Sequence, residues 1–363
     1  MPSRIRLGRA RSGAKPPLWS PVLPILVVLA VTMVGCERQA TTDLDSKEER
    51  DQSTSPAAVD GKECGGDSPT LAGTAQGETI EGTEGSDVIL GLGGHDVILG
   101  LGGDDIVCAG GGNDVIEGGE GDDVVYGAES INEDPEVFKN EGGPEDPASG
   151  FFGDDGLDVL VGGAGNDRLL GGMHHDSLSG GPGNDRLFGG LNDDILAGGA
   201  GDDYLHGGEQ DDNLRGGAGS DTMFGYNDDD VVVGGEGEDE LLGGGGSDLL
   251  IGDTEDKDGP GFDDTIDGEG GDDVLKGMYG SDLLTGDDGN DTVQGGGGND
   301  DIQGGDDVDL IAGGPGLDSL DGGPNDDVVS GDDGTDETLI GGAHDAGDVC
   351  RCDDGDQKVG CEL

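Results

Sequence analysis

The sequence predicts an all-β solenoid of nonapeptide repeats, with two short strands in each eighteen-residue coil. Three observations carry that expectation. Aspartate returns every nine residues along most of the chain. A run rich in glycine precedes each aspartate, and an apolar residue follows it two positions later. A fixed short period is the mark of a stacked repeat, whose units bury their apolar faces only against their neighbours.

The aspartates fall into three ladders. Asp87, Asp96, Asp105, Asp114 and Asp123 form the first. The second runs through Asp158, Asp167, Asp176, Asp185, Asp194, Asp203, Asp212, Asp221, Asp230, Asp239 and Asp248. The third comprises Asp264, Asp273, Asp282, Asp291, Asp300, Asp309, Asp318, Asp327 and Asp336. The apolar column begins Ile89, Ile98, Val107, Ile116, Val125, Leu160 and Leu169, and breaks at Thr338. In register, each unit reads Gly-Gly-x-Gly-x-Asp-x-apolar-x, as in "GGAGNDRLL" (162–170) and "GGPGNDRLF" (180–188). Glycine at three of six positions lets the backbone take positive φ and turn its carbonyls inward. The remaining x-apolar-x triplet is a short strand with one side chain pointing into the coil.

This unit resembles the RTX (hemolysin-type, serralysin-type) calcium-binding nonapeptide, and the resemblance covers most of the chain. It implies that the coils stack as a parallel β-roll, a form of β-helix solenoid, with Ca²⁺ ions held between turns along its edges. Each ladder aspartate would then present one carboxylate to a column of metal. Carboxylates and carbonyls are hard oxygen donors, which suit Ca²⁺ at six to eight coordination. Each coil buries only two apolar side chains, too little to offset ordering eighteen residues. The chain is therefore expected to fold on binding multiple Ca²⁺ ions.

Composition agrees. Glycine makes up 82 of 363 residues, aromatics 3%, and the net charge is −66. Low hydrophobicity with high charge is typical of chains that stay disordered until neutralised. The charge excludes nucleic acid as a partner, since phosphate would be repelled, and favours cations.

Residues 1–35 read as a lipoprotein signal peptide. Arg4, Arg6, Arg9, Arg11 and Lys15 precede the apolar "PVLPILVVLAVTMVG", and "MVGC" resembles a bacterial lipobox. Cys36 would then be lipidated and anchor the protein in the bacterial envelope, at the outer membrane or cell surface, unless it is released extracellularly; an uncleaved membrane anchor is the alternative. Cleavage removes five basic and no acidic residues and takes the charge from −66 to −71. Residues 36–70 read as a disordered tether.

The repeats divide into 71–126, an N-terminal cap and first block, then 153–251 and 262–345. Loops at 127–152 and 252–261 interrupt them. In the cap, Glu78 takes the aspartate column and Ile80 the apolar column. "DTEDKDGPG" at 253–261 looks superficially like an EF-hand loop, but Thr254 and Thr265 stand where its first Asp and last Glu are required. In an oxidising setting disulfides persist. The "CGGDSPTLAG" segment resembles the leading segment of exported RTX-type proteins, and Cys64 is expected to pair with Cys108. Residues 346–363 read as a closing cap in which Cys361 pairs with Cys350 or Cys352.

The two edges differ. Fourth-position glycine is kept at Gly165, Gly183, Gly201, Gly219 and Gly237, but alternate units carry His174, Asn192, Gln210 and Asp228, with Asp307 and Asn325 further on. Either this edge tolerates drift, since Asn, Asp and His accept left-handed backbone, or it takes a second kind of metal. A column of Leu170, Phe188, His206, Phe224 and Leu242, beside Arg168, Arg186 and Tyr204, is either an in-register stack or a surface for a cell-surface or matrix ligand.

No catalytic site is expected. The five histidines form no HExxH motif, GxSxG is absent, and a metal ladder accounts for the carboxylates. The expected function is calcium binding by a non-catalytic, exported, membrane-anchored protein; the alternative is a Ca²⁺-dependent adhesin using the aromatic column.

Overall fold

A computed structural model describes residues 64–65, 67–127, 157–253, 261–331, 338–340, 349–351 and 357–359. The signal peptide, the tether, Cys36, Cys352, Cys361 and Asp336 lie outside them. Among the described residues every element is a strand. Alternate strands build two parallel sheets, one of fifteen strands and one of fourteen. This is the all-β parallel roll that the resemblance implied.

Each strand pairs with the strand one coil away: Leu187 aligns with Leu169 on one side and Leu205 on the other. The eighteen-residue offset follows from two nonapeptides per coil. The apolar residue of each unit points between the sheets, and these side chains form one continuous buried column from Ile89 to Leu339. Leu71 and Ile80 extend it at the N-terminal end and Cys350 at the other.

Neither interruption breaks the stack. Ile116 aligns with Leu160, and Leu241 with Ile266. The strands on either side of both interruptions keep their register.

One detail of the sequence reading needs correction. The apolar column does not break at Thr338. Leu320 aligns with Leu339, which is buried, while Thr338 is exposed. The last unit carries one extra residue. The ladder position two before the apolar residue then falls on Glu337 rather than Asp336, both outside the described residues.

A second, smaller cluster covers the outer face of the first coils. Leu90 and Cys108 pack there with Cys64, beside Ile106 and Tyr126. Cys64 and Cys108 form a disulfide, as expected. Cys350 is also disulfide-bonded.

Candidate metal centre

Each ladder aspartate ends a turn immediately before a strand. Its two carboxylate oxygens have different surroundings. Oδ1 accepts the backbone amide of the ladder aspartate one coil earlier: Asp167 N–H to Asp185 at 2.8 Å, Asp185 N–H to Asp203 at 2.7 Å, Asp194 N–H to Asp212 at 2.7 Å. The chain of amide-to-carboxylate bonds continues along both edges and across both interruptions.

Oδ2 turns towards the first-position glycine of its own turn. A Cβ at Gly180 or Gly198 would overlap Oδ2 of Asp185 or Asp203. Glycine is needed there because of this contact, since φ at these positions is not positive. The carbonyl of the next coil converges on the same space. Beside Gly189, a Cβ would meet both Asp194 Oδ2 and the Gly207 carbonyl, at 2.5 and 2.8 Å. Each turn thus offers a small cradle lined by carboxylate and carbonyl oxygen.

These Oδ2 atoms are shut off from solvent. At Asp105, Asp123, Asp167, Asp185, Asp203, Asp221 and Asp239 on one edge, and at Asp96, Asp194, Asp212 and Asp230 on the other, they have no hydrogen-bond partner. A buried charge left in that state is costly and shifts towards its neutral form. Burial pushes Asp194 up to about 9, Asp212 and Asp230 to about 8, and Asp167 and Asp203 to about 7, only partly offset by the amide on Oδ1. Neighbouring aspartates add to the rise at Asp194 and Asp203. Among the described residues no three His, Cys, Asp or Glu side chains gather into a cage. The donors are single carboxylates combined with carbonyls, an all-oxygen set that fits Ca²⁺ and suits neither zinc nor copper.

The N-terminal end of the ladder departs from this pattern. Both oxygens of Asp87 are satisfied within the protein: Oδ1 by the Thr70 hydroxyl, Oδ2 by the Thr83 amide and hydroxyl. Glu78 reaches back to the Thr74 amide. Threonines thus bond both carboxylate oxygens of Asp87 at the first turns. Sequence spacing alone had placed it with the metal ligands.

The edge asymmetry has a backbone basis. Gly165, Gly183, Gly201, Gly219 and Gly237 take φ of 143, 146, 126, 132 and 138°, which only glycine reaches comfortably. A Cβ at Gly183 would overlap the Gly165 carbonyl. His174, Asn192, Gln210 and Asp228 sit at 78, 78, 79 and 70° instead, in the left-handed helical region. The coil-to-coil bond survives there: Asn192 N–H reaches Glu209 O at 3.0 Å, matching Gly183 N–H to Ala200 O at 2.8 Å. Asp176, Asp194, Asp212 and Asp230 remain buried on that edge.

The sequence reading missed a second ladder. At many turns the residue before the ladder aspartate accepts the amide one coil later, as in Asn184 N–H to Asn166 Oδ1 at 2.8 Å and Ser247 N–H to Asp229 Oδ1 at 2.8 Å. The enrichment of Asn, Asp and Ser at this position was visible at the same nine-residue period; its hydrogen-bond partner, an amide of another coil, was not.

The aromatic column stacks in register. Phe188 lies beside Leu170 and His206, and His206 beside Phe224. Rings of Phe188 and Tyr204 are 5.8 Å apart, those of Tyr204 and Phe224 5.4 Å, and Arg168 lies over Phe188. Leu170, Phe188 and His206 are buried. Such neighbours on adjacent strands stabilise a sheet without any ligand.

The sequence matches the RTX calcium-binding nonapeptide repeat over residues 73–107, 109–131, 152–187, 188–223, 224–256, 259–278, 276–311 and 303–337. No curated protein matches the chain. The matched segments span both edges and nearly every turn in which a buried carboxylate faces a carbonyl, so the chain belongs to the family of RTX calcium-binding repeat proteins, whose repeats bind multiple Ca²⁺ ions.

Proposed function

We propose that this protein is a non-catalytic, exported, lipid-anchored roll that folds when it binds calcium, with the ladder aspartates from Asp96 to Asp327 as carboxylate ligands. The observation that carries this reading is the row of solvent-inaccessible Oδ2 atoms without hydrogen-bond partners. A protein would not retain so many unpaired buried carboxylates unless a cation compensates them. Ca²⁺ would supply charge neutralisation and tie successive coils together through carboxylate and carbonyl oxygen. The amide on Oδ1 keeps each carboxylate oriented for that role.

The export and anchoring part rests on "MVGC" and on the basic, then apolar, N-terminus. Millimolar calcium outside the cell suits extracellular modules with affinities of roughly 10⁻⁴–10⁻³ M. The packed aromatic column supports a stabilising role for that face over an adhesive one.

The test is a calcium titration followed by circular dichroism. The chain should lack β signal in chelator and gain it cooperatively with millimolar Ca²⁺ but not Mg²⁺, which demands tighter octahedral geometry. Full β signal in chelator would overturn the metal-dependent folding.

A further inference from the structure

Part of the outer face of the fifteen-stranded sheet is shut off from solvent more completely than stacking explains. Leu170, Phe188, His206 and Phe224 each follow a residue of the buried column by one position, so they point away from the core. They are nonetheless only 3, 4, 2 and 9% exposed. Val161, Val233 and Ile251 hold the same place on the fourteen-stranded sheet, with neighbours in register on both sides. All three stay partly exposed. On the aromatic sheet itself the stripe opens again at Leu242 and turns polar at Asp267 and Thr285. Leu170 and Ile251 are alike in size and in their strand pairing, so the burial calls for a layer beyond the stack.

At the N-terminal end of the same stripe that layer is visible. Leu90 and Cys108 are fully buried beneath the turn at Cys64, which the disulfide ties down. The turn reaches as far as Tyr126: a Cβ at Gly65 would lie 3.1 Å from Ile106 and 3.8 Å from the Tyr126 ring. Tyr126 aligns with Leu170, and the Gly127 amide bonds the Leu170 carbonyl at 3.0 Å. The chain therefore enters residues 128–156 one strand from the start of the aromatic stripe. At about 3.3 Å per residue this segment can reach roughly 95 Å. The stripe from Leu170 to Leu242 measures only about 19 Å at a strand spacing of roughly 4.8 Å, so the segment is long enough to run along it and return. It carries Phe138, Phe151 and Phe152, three of the six phenylalanines in the chain, and nine acidic residues against the single Lys139. On the sheet, Arg168 and Arg186 stand opposite each other on adjacent strands. Like charges so placed repel, and an acidic segment would relieve them. The residues just before Cys64, "STSPAAVDGKE", bring no aromatic side chain.

We propose that residues 128–156 dock along the outer Leu170–Phe224 face, setting phenylalanine against its rings and carboxylates against Arg168 and Arg186. Aromatic side chains gain from meeting one another as well as from leaving water, and the arginine pair fixes which segment of this acidic chain is drawn there. The first interruption is then a packed part of the roll, and the aromatic face is occupied by the chain itself instead of being left for an external ligand. The contact does not depend on which ions the ladders bind.

Tryptophan fluorescence of the full chain tests it. Trp19→Phe removes the one native tryptophan, and Phe138→Trp, Phe151→Trp and Phe152→Trp then each report on the segment alone. In the folded protein, with its β signal checked by circular dichroism, at least one of the three should be shielded from acrylamide. Adding Phe188→Ala/Phe224→Ala should raise quenching of that reporter severalfold. Quenching at all three positions as free as in denaturant would overturn the docking, and so would shielding that ignores the loss of the rings. Should Phe188→Ala/Phe224→Ala fail to fold, the opposite variant decides. Phe138→Ser/Phe151→Ser/Phe152→Ser leaves the strands of the roll untouched. It should expose the stripe to an apolar dye and raise hydrogen exchange severalfold in residues 168–227, with exchange around Leu284 unchanged. No gain in dye binding or exchange would sink the proposal. If dilution of the wild type alone exposes the stripe, with a dimer lost in sedimentation, the occupant is a second copy and the proposal falls.

Discussion

The amide of Asp185 donates to Oδ1 of Asp203 at 2.7 Å, while Oδ2 of Asp203 is buried with no hydrogen-bond partner. One oxygen holds the coils in register, and the other is left for a cation. The same division recurs at Asp203 to Asp221 and at Asp194 to Asp212. Folding and metal binding thus use opposite sides of one carboxylate, so each affects the other.

The first prediction concerns pH. Burial raises Asp221, Asp167, Asp212 and Asp194 from an ordinary 3.8 to about 6, 7, 8 and 9. The folded state then holds protons more tightly than the unfolded chain. That contribution is fully present below about pH 4 and is lost as pH rises through 6 to 9. Without metal, the roll should gain β signal on acidification from pH 9 to pH 5 in chelator. With metal, Ca²⁺ must displace these protons, so the calcium midpoint should move to higher concentration as pH falls from 8 to 6. A midpoint independent of pH would rule out proton competition at the ladder.

How far the sequence could be read depends on whether the interaction repeats along the chain. The buried column from Ile89 to Leu339 was legible because a period fixes which side chains point inward, and the pairing of Cys64 with Cys108 followed from the resemblance of the leading segment to the repeat family. Thr338 misled because a single inserted residue keeps the nine-residue aspartate spacing while shifting the strand behind it. Asp87 looked like every other ladder aspartate. Only the structure brings the Thr70 and Thr83 hydroxyls to it, Thr70 from a different coil.

The second prediction exchanges the fourth-position residues of the two edges. Gly183→Asn forces a Cβ against the Gly165 carbonyl at a φ of 146°. It should cost about 1–3 kcal/mol, read as a lower melting temperature in saturating Ca²⁺. Asn192→Gly relieves the left-handed backbone at φ 78° but loses the side-chain bond to the Leu191 carbonyl and loosens the unfolded chain, for a net cost of about 1 kcal/mol or less. Equal losses would show that the two backbone conformations are interchangeable.

The third prediction concerns the disulfide. Cys64 and Cys108 close a loop with a sequence separation of 44 residues. By chain entropy this stabilises the N-terminal coils by roughly 4 kcal/mol. Because a solenoid gains stability from nearest neighbours, Cys64→Ser/Cys108→Ser should raise hydrogen exchange in residues 71–126 and leave exchange around Leu205 unchanged. Uniform loss of protection along the roll would mean that it unfolds as a single cooperative block.

The last prediction compares the two edges as calcium sites. Asp194 and Asp212 are pushed to about 9 and 8, Asp203 only to about 7, and burial is the leading cause at each. At pH 7 the first two are held mostly by protons, and calcium must displace them before it can bind. Asp185→Asn/Asp203→Asn should therefore cost more calcium affinity at pH 7 than Asp194→Asn/Asp212→Asn. At pH 9.5 both edges are ionised, and the two double variants should converge. A gap of the same size at both pH values would mean that side chains replacing glycine, such as Asn192 and Gln210, distort the carbonyl cradle. A gap that closes would mean that the degenerate edge keeps its geometry and differs only in how tightly it holds its protons.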